Sequence, residues 1–543
     1  MVAAHRLSKD YDVIVCGGGS AGCVVASRLA ADPNLDVLLI EAGGADEARE
    51  VRDPTLWMRN IGSERDWGFF SEPCPGLNGR RAPLPMGRVL GGGSSVNGLV
   101  WARGHKADFD LWEAETGDPG WGYRAAIDLY KRIEDWDGPA SPLRGLGGPM
   151  RITLPKDPAP VVGGLLAATS AFGIPPVADH NAEAMEGDGC CAVANVNVDR
   201  DGVRVSTASA YLAPRIGQPN LTVLTGAVTR RVVIEDGRAV AVEFERGGAV
   251  RLARARHEIV LSLGAINTPK TLMLSGVGDA AALRSLGLPV VRHLPGVGQN
   301  FQDHILVAGC VFEYREPTAP RNNSAEFTFF CKSEAAQPSP DLQPMLEECA
   351  FGSEVTRPRY GLPADPATCF TLAPGLVRPK SRGSVALTGA RPEDPVRIQA
   401  NFLSEDADIR ALLRCVEICR EIGHSEALRP FVKRELMPGP LSQPDMRAFL
   451  RDAAGTYFHQ TCTAKMGRDA LSVVDGSLRV YGVAGLRIAD GSIMPAVTGG
   501  NTMAPCILIG ERAADLIMRD LASAADLRPI DRSPPHRFQE TAA

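Results

Sequence analysis

Tyr11-Asp12-Val13-Ile14-Val15-Cys16-Gly17-Gly18-Gly19-Ser20-Ala21-Gly22 is the stretch that decides the fold, with its continuation through Ala30 and Asp36-Val37-Leu38-Leu39-Ile40 to Glu41. The run from Tyr11 to Cys16 has the continuous apolar character of a strand buried on both faces. Residues 21–30 are small and apolar enough for a helix lying on a sheet, and residues 36–40 read as a second strand. Between strand and helix stands GxGxxG. Gly17 permits the tight turn, Gly19 lets backbone approach a pyrophosphate, and Gly22 lets helix and strand pack closely. Ser20 and Ala21 begin the helix, whose N-terminus offers N–H groups and partial positive charge to phosphates. Glu41, followed by Ala42, is placed to accept from a ribose 2′-hydroxyl, and its carboxylate disfavours a 2′-phosphate. These residues predict a βαβ dinucleotide site without separating FAD from NAD.

Outward from this unit, residues 75–105 are rich in Gly, Pro and Ser and read as a long ordered loop of the kind that carries function. From Leu221 to Leu263 short β-type runs alternate with Asp236-Gly237 and Gly247-Gly248, predicting an antiparallel meander that begins at Leu221 and feeds a further buried strand. Residues 310–450 are Pro-rich in places, with a helix expected from Ser404 to about Ile422.

The chain has 543 residues, 44% hydrophobic and 22% charged, with net charge −6 and both signs scattered. That balance fits an enzyme of ordinary globular composition and carries no footprint for nucleic acid. Thirteen cysteines without a CxxC pair argue against zinc or iron–sulfur binding and for reduced thiols. Residues 1–10 have no signal core, and no run of about 18 apolar residues could cross a bilayer. The expectation is a cytoplasmic enzyme without metal or transmembrane segment.

Four further segments settle the class. They are Gly87-Arg88-Val89-Leu90-Gly91-Gly92-Gly93-Ser94-Ser95-Val96-Asn97-Gly98; Leu263-Gly264-Ala265-Ile266-Asn267-Thr268-Pro269 with Leu274-Ser275-Gly276-Val277-Gly278; Leu294-Pro295-Gly296-Val297-Gly298-Gln299-Asn300 with Gln302-Asp303-His304; and Gly485 to Pro495, running on to Asn501. In this order, over residues 11–517, the chain resembles the glucose–methanol–choline (GMC) oxidoreductases. Gly499-Gly500-Asn501-Thr502 is most like the choline dehydrogenase branch, and residues 457–495 are also similar to hydroxymethylfurfural-type and aryl-alcohol oxidases.

The resemblance implies an α/β fold: an FAD-binding, Rossmann-like domain of the glutathione-reductase type plus a substrate domain built on an antiparallel sheet with helices. The FAD-binding domain is expected over 1–155, 200–308 and 455–525, the substrate domain over 156–199 and 309–454, and a loose tail over 526–543. It implies FAD held by Arg88, Gly92, Gly93, Ser95, Asn97 and Gly98 of the glycine loop, by Val228 at the adenine, and by Asp490, Gly491, Asn501 and Thr502, besides Gly17, Gly19, Ser20, Ala21, Gly22, Glu41 and Ala42. Some relatives attach the flavin through a His after the double serine; Val96 stands there, so non-covalent FAD is expected.

Alcohol oxidation by hydride transfer needs a base near the hydroxyl. The resemblance places it at His459, in Gly455-Thr456-Tyr457-Phe458-His459-Gln460, and a substrate-orienting amide at Asn501. Gln460 departs from the His-Pro commoner in the family, which leaves the shape of the pocket open. Tyr457, Phe458, Phe329 and Glu347 are candidates for the pocket wall, and His304, with no partner visible in the sequence, reads as structural. The electron acceptor is open among a quinone, a carrier and O2. The competing readings are an FAD-containing hydroxynitrile lyase and an NAD-dependent dehydrogenase.

Overall fold

The computed structural model describes residues 10–526. The expectations for residues 1–9 and for the tail after Asp526 lie outside the described residues. The chain folds as the mixed α/β structure expected. Its first strand, Asp10–Cys16, lies between Val37–Ile40 and the long strand Ala249–Leu261, parallel to both, in a seven-stranded sheet. Val13 to Cys16 are wholly buried, which explains why this strand tolerates no alternation of polar residues.

Two expectations about the meander are corrected. Leu221–Leu224 does not belong to it; this strand pairs parallel with Val37–Ile40 at the sheet edge. And the buried strand that the meander was to feed is the end of the meander's own third strand. Residues 249–254 pair antiparallel with Arg238–Arg246, while 258–261 pair parallel with the first strand and Ile259–Leu261 with Leu486–Ile488. The register of side chains shows the change of role: residues 249–252 are exposed and 258–261 buried.

Helix Ser20–Leu29 packs on this sheet against helix Met503–Asp526. The latter runs unbroken to Asp526. Contact at the helix start is close. A Cβ on Gly22 would lie 1.9 Å from the carbonyl oxygen of Gly17. Gly22→Ala therefore forces backbone from backbone, and should cost at least the roughly 1–3 kcal/mol typical of overpacking. We expect a lowered melting temperature and a loss of bound flavin, measured as absorbance per polypeptide.

The second sheet has six antiparallel strands, in the order 432–437, 311–314, 369–373, 345–347, 327–330, 190–193. Helices Pro160–Ala171 and Asp406–Gly423 cover one face, the latter matching the helix expected from Ser404. The other face, through Met345 and Glu347, lines the cavity that also reaches the glycine turn. A three-stranded sheet, Gly375–Leu376, Ile305–Val307 and Ala454–Thr456, lies where the two regions meet. It sets His304 beside Tyr457, whose N–H donates to the His304 carbonyl.

Candidate active site

A cavity of about 730 Å³ runs between the glycine turn and the second sheet, within the range of cofactor and ligand sites. At one end it is lined by Gly17, Gly19, Ser20, Ala21, Glu41, Ala42 and Val228. The helix starting at Ser20 has no side chain capping it and no acid in its first turn, so its N-terminus is left to serve an anion. Glu41 is buried. Its carboxylate accepts from the N–H groups of Gly18 (2.8 Å) and Gly43 (2.7 Å), which hold it at the cavity wall. Burial pushes this carboxyl up, against the pull of those donors.

Further along stand Gly92, Gly93, Val96, Asn97, Gly98, Asp490 and Gly491. Gly92 has φ +52°, and a Cβ there would lie 2.7 Å from the Gly19 Cα. The two glycine loops thus form one cradle of bare backbone, which is what a dinucleotide pyrophosphate requires. Four residues of the resemblance serve this cradle differently from the expectation. Ser95 faces away from the cavity and donates to the Leu90 carbonyl at 2.6 Å. Arg88 lies over the Trp67 ring. Asp490 reaches the cavity, but its oxygens accept from Gly264 N, Thr268 Oγ1 and Ser492 N, so it ties together two helix starts. Asn97 directs its oxygen inward to Arg204 (2.7 Å) and Leu99 N, leaving its NH₂ on Met503 Sδ. Arg204 had no signal in the sequence. It is buried, donates to the carbonyls of Val51, Ser94 and Asn97, and so clamps the loop from behind.

The far end of the cavity brings together His459, Asn501, Thr502, Tyr457, Phe458 and Glu347. Phe329 does not join them. Thr328 pairs across the sheet with Met345, which faces the cavity; Phe327 and Phe329 therefore point to the helix side and lie in that core.

His459 Nδ1 lies 2.8 Å from His304 Nδ1, and His304 Nε2 lies 2.8 Å from the Thr498 carbonyl oxygen. A carbonyl only accepts, so His304 carries its proton on Nε2. Its Nδ1 then presents a lone pair, and His459 must donate to it from Nδ1. By this chain His459 Nε2 is left unprotonated on the cavity side. Burial keeps both imidazoles neutral, pulling His459 down to about 3 and His304 well below the ordinary range. The reading of His304 as a residue without a partner is thus corrected: strand pairing supplies one from 155 residues away.

Asn501 Nδ2 sits 3.3 Å from His459 Nε2, and its oxygen accepts from Gln343 Nε2 at 3.0 Å. Gln343, also without a sequence signal, orients the amide while its backbone carbonyl accepts from Tyr457 OH. Tyr457 stacks on His459 at 5.1 Å. Phe458 between them adopts φ +67°, an unusual state for a bulky residue. Asp303 holds that turn: it accepts from His459 N, Thr456 Oγ1 and Gln460 Nε2. Gln460, the departure from the family pattern, therefore contributes a donor to a buried carboxyl that burial lifts to about 7.

A dinucleotide cradle leading to a buried, lone-pair-bearing imidazole defines an oxidoreductase built around a bound redox cofactor. The GMC oxidoreductase family pattern matches residues 11–306 with its N-terminal part and 379–510 with its C-terminal part. Human mitochondrial choline dehydrogenase is 37% identical, covering 95% of this chain and 91% of that one. Oxygen-dependent choline dehydrogenase of Brucella anthropi is 36% identical over 94% and 96%. Among solved structures, pyridoxine 4-oxidase from Mesorbium loti superposes with TM-score 0.89 at 32% identity, over 94% of this chain and 99% of that one. The chain belongs to the GMC oxidoreductase family and is an FAD-dependent oxidoreductase acting on CH–OH donors. No helix among the described residues is long and apolar enough to cross a membrane.

Proposed function

We propose that the protein oxidises an alcohol to an aldehyde or ketone, with His459 Nε2 taking the hydroxyl proton and Asn501 fixing the hydroxyl oxygen. The observation that carries this reading is the 3.3 Å gap between Asn501 Nδ2 and His459 Nε2. A hydrogen bond this long is weak, and a hydroxyl replaces it with two better ones: the oxygen accepts from the amide and its proton goes to the imidazole. Asn501 is then a positioning group, since an amide is no base at neutral pH. FAD, when bound, supplies the acceptor for the hydride that leaves the carbinol carbon. Gly17, Gly19, Ser20, Ala21, Gly92 and Gly93 would hold its phosphates, Glu41 its ribose and Val228 its adenine. Val96, at the cavity wall, has no atom to bond the flavin, so the cofactor is held without a covalent link. Acid precipitation should leave all the yellow colour in the supernatant; flavin retained in the pellet would refute that attachment.

The test of the reaction is anaerobic mixing of the purified protein with a broad panel of alcohols, read as bleaching of flavin absorbance. Reduction by at least one class is expected. Failure of every alcohol, with turnover of a cyanohydrin, would leave a lyase in its place. The thiols are free and mostly buried, which suits a reducing, cytoplasmic setting.

A further inference from the structure

The wall beyond Tyr457 is apolar, made by Val100, Leu306, Ala325 and Met345, with one exception. Glu347 stands on the same strand face as Met345, two residues on, and turns its carboxyl into the cavity. It is 6% exposed, and its Oε2 has no hydrogen-bond partner among the described residues. No basic side chain offsets it: burial alone pushes its carboxyl up to about 8. Glu348 beside it also has an unpartnered oxygen, Oε1, but does not line the cavity; its Oε2 accepts from Arg321 N and it approaches Glu326. Four residues before Glu347, at the edge of the same site, Gln343 Oε1 is likewise buried and unpartnered. Gln343 Oε1 is an acceptor, and Glu347 becomes one once it gives up its proton, which a cation beside it promotes. Leaving such atoms unpaired costs free energy, more so for a carboxylate, and a ligand that restores the balance must bring donors.

We propose, on the reading of His459 and Asn501 as the reacting end, that Glu347 selects alcohols whose other end carries a protonated nitrogen with N–H bonds to donate. A quaternary ammonium fits this wall less well. It has no N–H to give, and its recognition relies on a cage of aromatic faces, whereas Tyr457, a ring whose charge couples to Glu347, is stacked on His459. A charge-assisted N–H···O bond also gains more in an apolar wall than a neutral one.

The test uses two shape-matched sets with the holoenzyme under anaerobic conditions at about pH 8.5, above the value to which burial lifts Glu347. One is 4-(aminomethyl)benzyl alcohol, its trimethylammonio analogue and 4-ethylbenzyl alcohol; the other is N,N-dimethylethanolamine, choline and 3-methylbutan-1-ol. The rate of flavin reduction against concentration gives an apparent Kd for each. In at least one set the N–H cation should bind about tenfold or more tightly than both partners. E347Q, isosteric and still flavin-loaded, should lose that preference while keeping most of the limiting rate. Equal or better binding of the quaternary or neutral alcohols in both sets would overturn the proposal, and so would a preference that survives in E347Q. If neither set reduces the flavin, binding is read from the perturbed flavin spectrum, and absence of the preference there is equally fatal. A preference that fails while other alcohols bleach the flavin removes only the role of Glu347; failure of the whole alcohol panel removes the reaction itself.

Discussion

Replacing His459 with alanine should lower the anaerobic rate of flavin reduction about 10²–10⁴-fold, the usual worth of a positioned general base, with FAD still bound. The loss is large because nothing nearby takes over. Asn501 has no basic lone pair, His304 is walled off behind His459, and Tyr457 donates its hydroxyl proton to Gln343. Retention of flavin follows from how the turn is held. Asp303 binds the backbone N–H of residue 459 and the side chains of Thr456 and Gln460, none of which the substitution removes. The wild-type pH profile is part of the same expectation. Because burial depresses the pKa of His459 to about 3, the base stays neutral through the range where a free histidine titrates, near 6.5. His459 itself should therefore give the limiting reduction rate no acidic limb between about pH 8 and 5; a limb there would report Asp303, lifted to about 7 beneath the same turn, or Glu347, lifted to about 8 in the wall. A stopped-flow rate near the wild-type value in the alanine variant would show that the proton goes elsewhere.

The second large effect should come from a residue that touches neither cofactor nor substrate. His304→Leu removes the acceptor for His459 Nδ1–H, and with it the reason for the lone pair to face the cavity. A tautomer set wrongly by a neighbour costs up to about 10⁴-fold in the best-known triad. Here we expect about 10²-fold, since Asn501 still contacts Nε2. His304→Gln supplies an amide oxygen to accept from His459 and an NH₂ to reach the Thr498 carbonyl, and should restore most of the rate. A purely packing role predicts the reverse order, with the apolar leucine better tolerated than the amide. The ratio of the two rates, measured with equal flavin content, distinguishes them. An acidic limb appearing in the leucine variant alone would add that His304 also governs the pKa of the base.

How much of this was legible in the sequence differs between the two ends of the cavity. The dinucleotide end is local. Gly17, Gly19, Gly22 and Glu41 lie within 25 consecutive residues, and their geometry follows from one turn between a strand and a helix. His459 and Asn501 were reached through the family pattern, without any view of what surrounds them. Phe329 was misplaced because an aromatic in a short strand looks alike from either face until its pairing partner is known; Thr328 opposite Met345 decides it. Leu221–Leu224 was misplaced for a related reason, since parallel and antiparallel neighbours select the same residue types.

By itself the sequence determined the strand–turn–helix that receives a dinucleotide, because those contacts are made between residues close in the chain. Tertiary structure alone decided which nitrogen of His459 is bare and which carboxyl stands unpaired in the pocket wall. Hydrogen-bond partners 155 residues apart, and the side of a strand that faces a cavity, are set by sheet pairing, for which no local spacing carries a record.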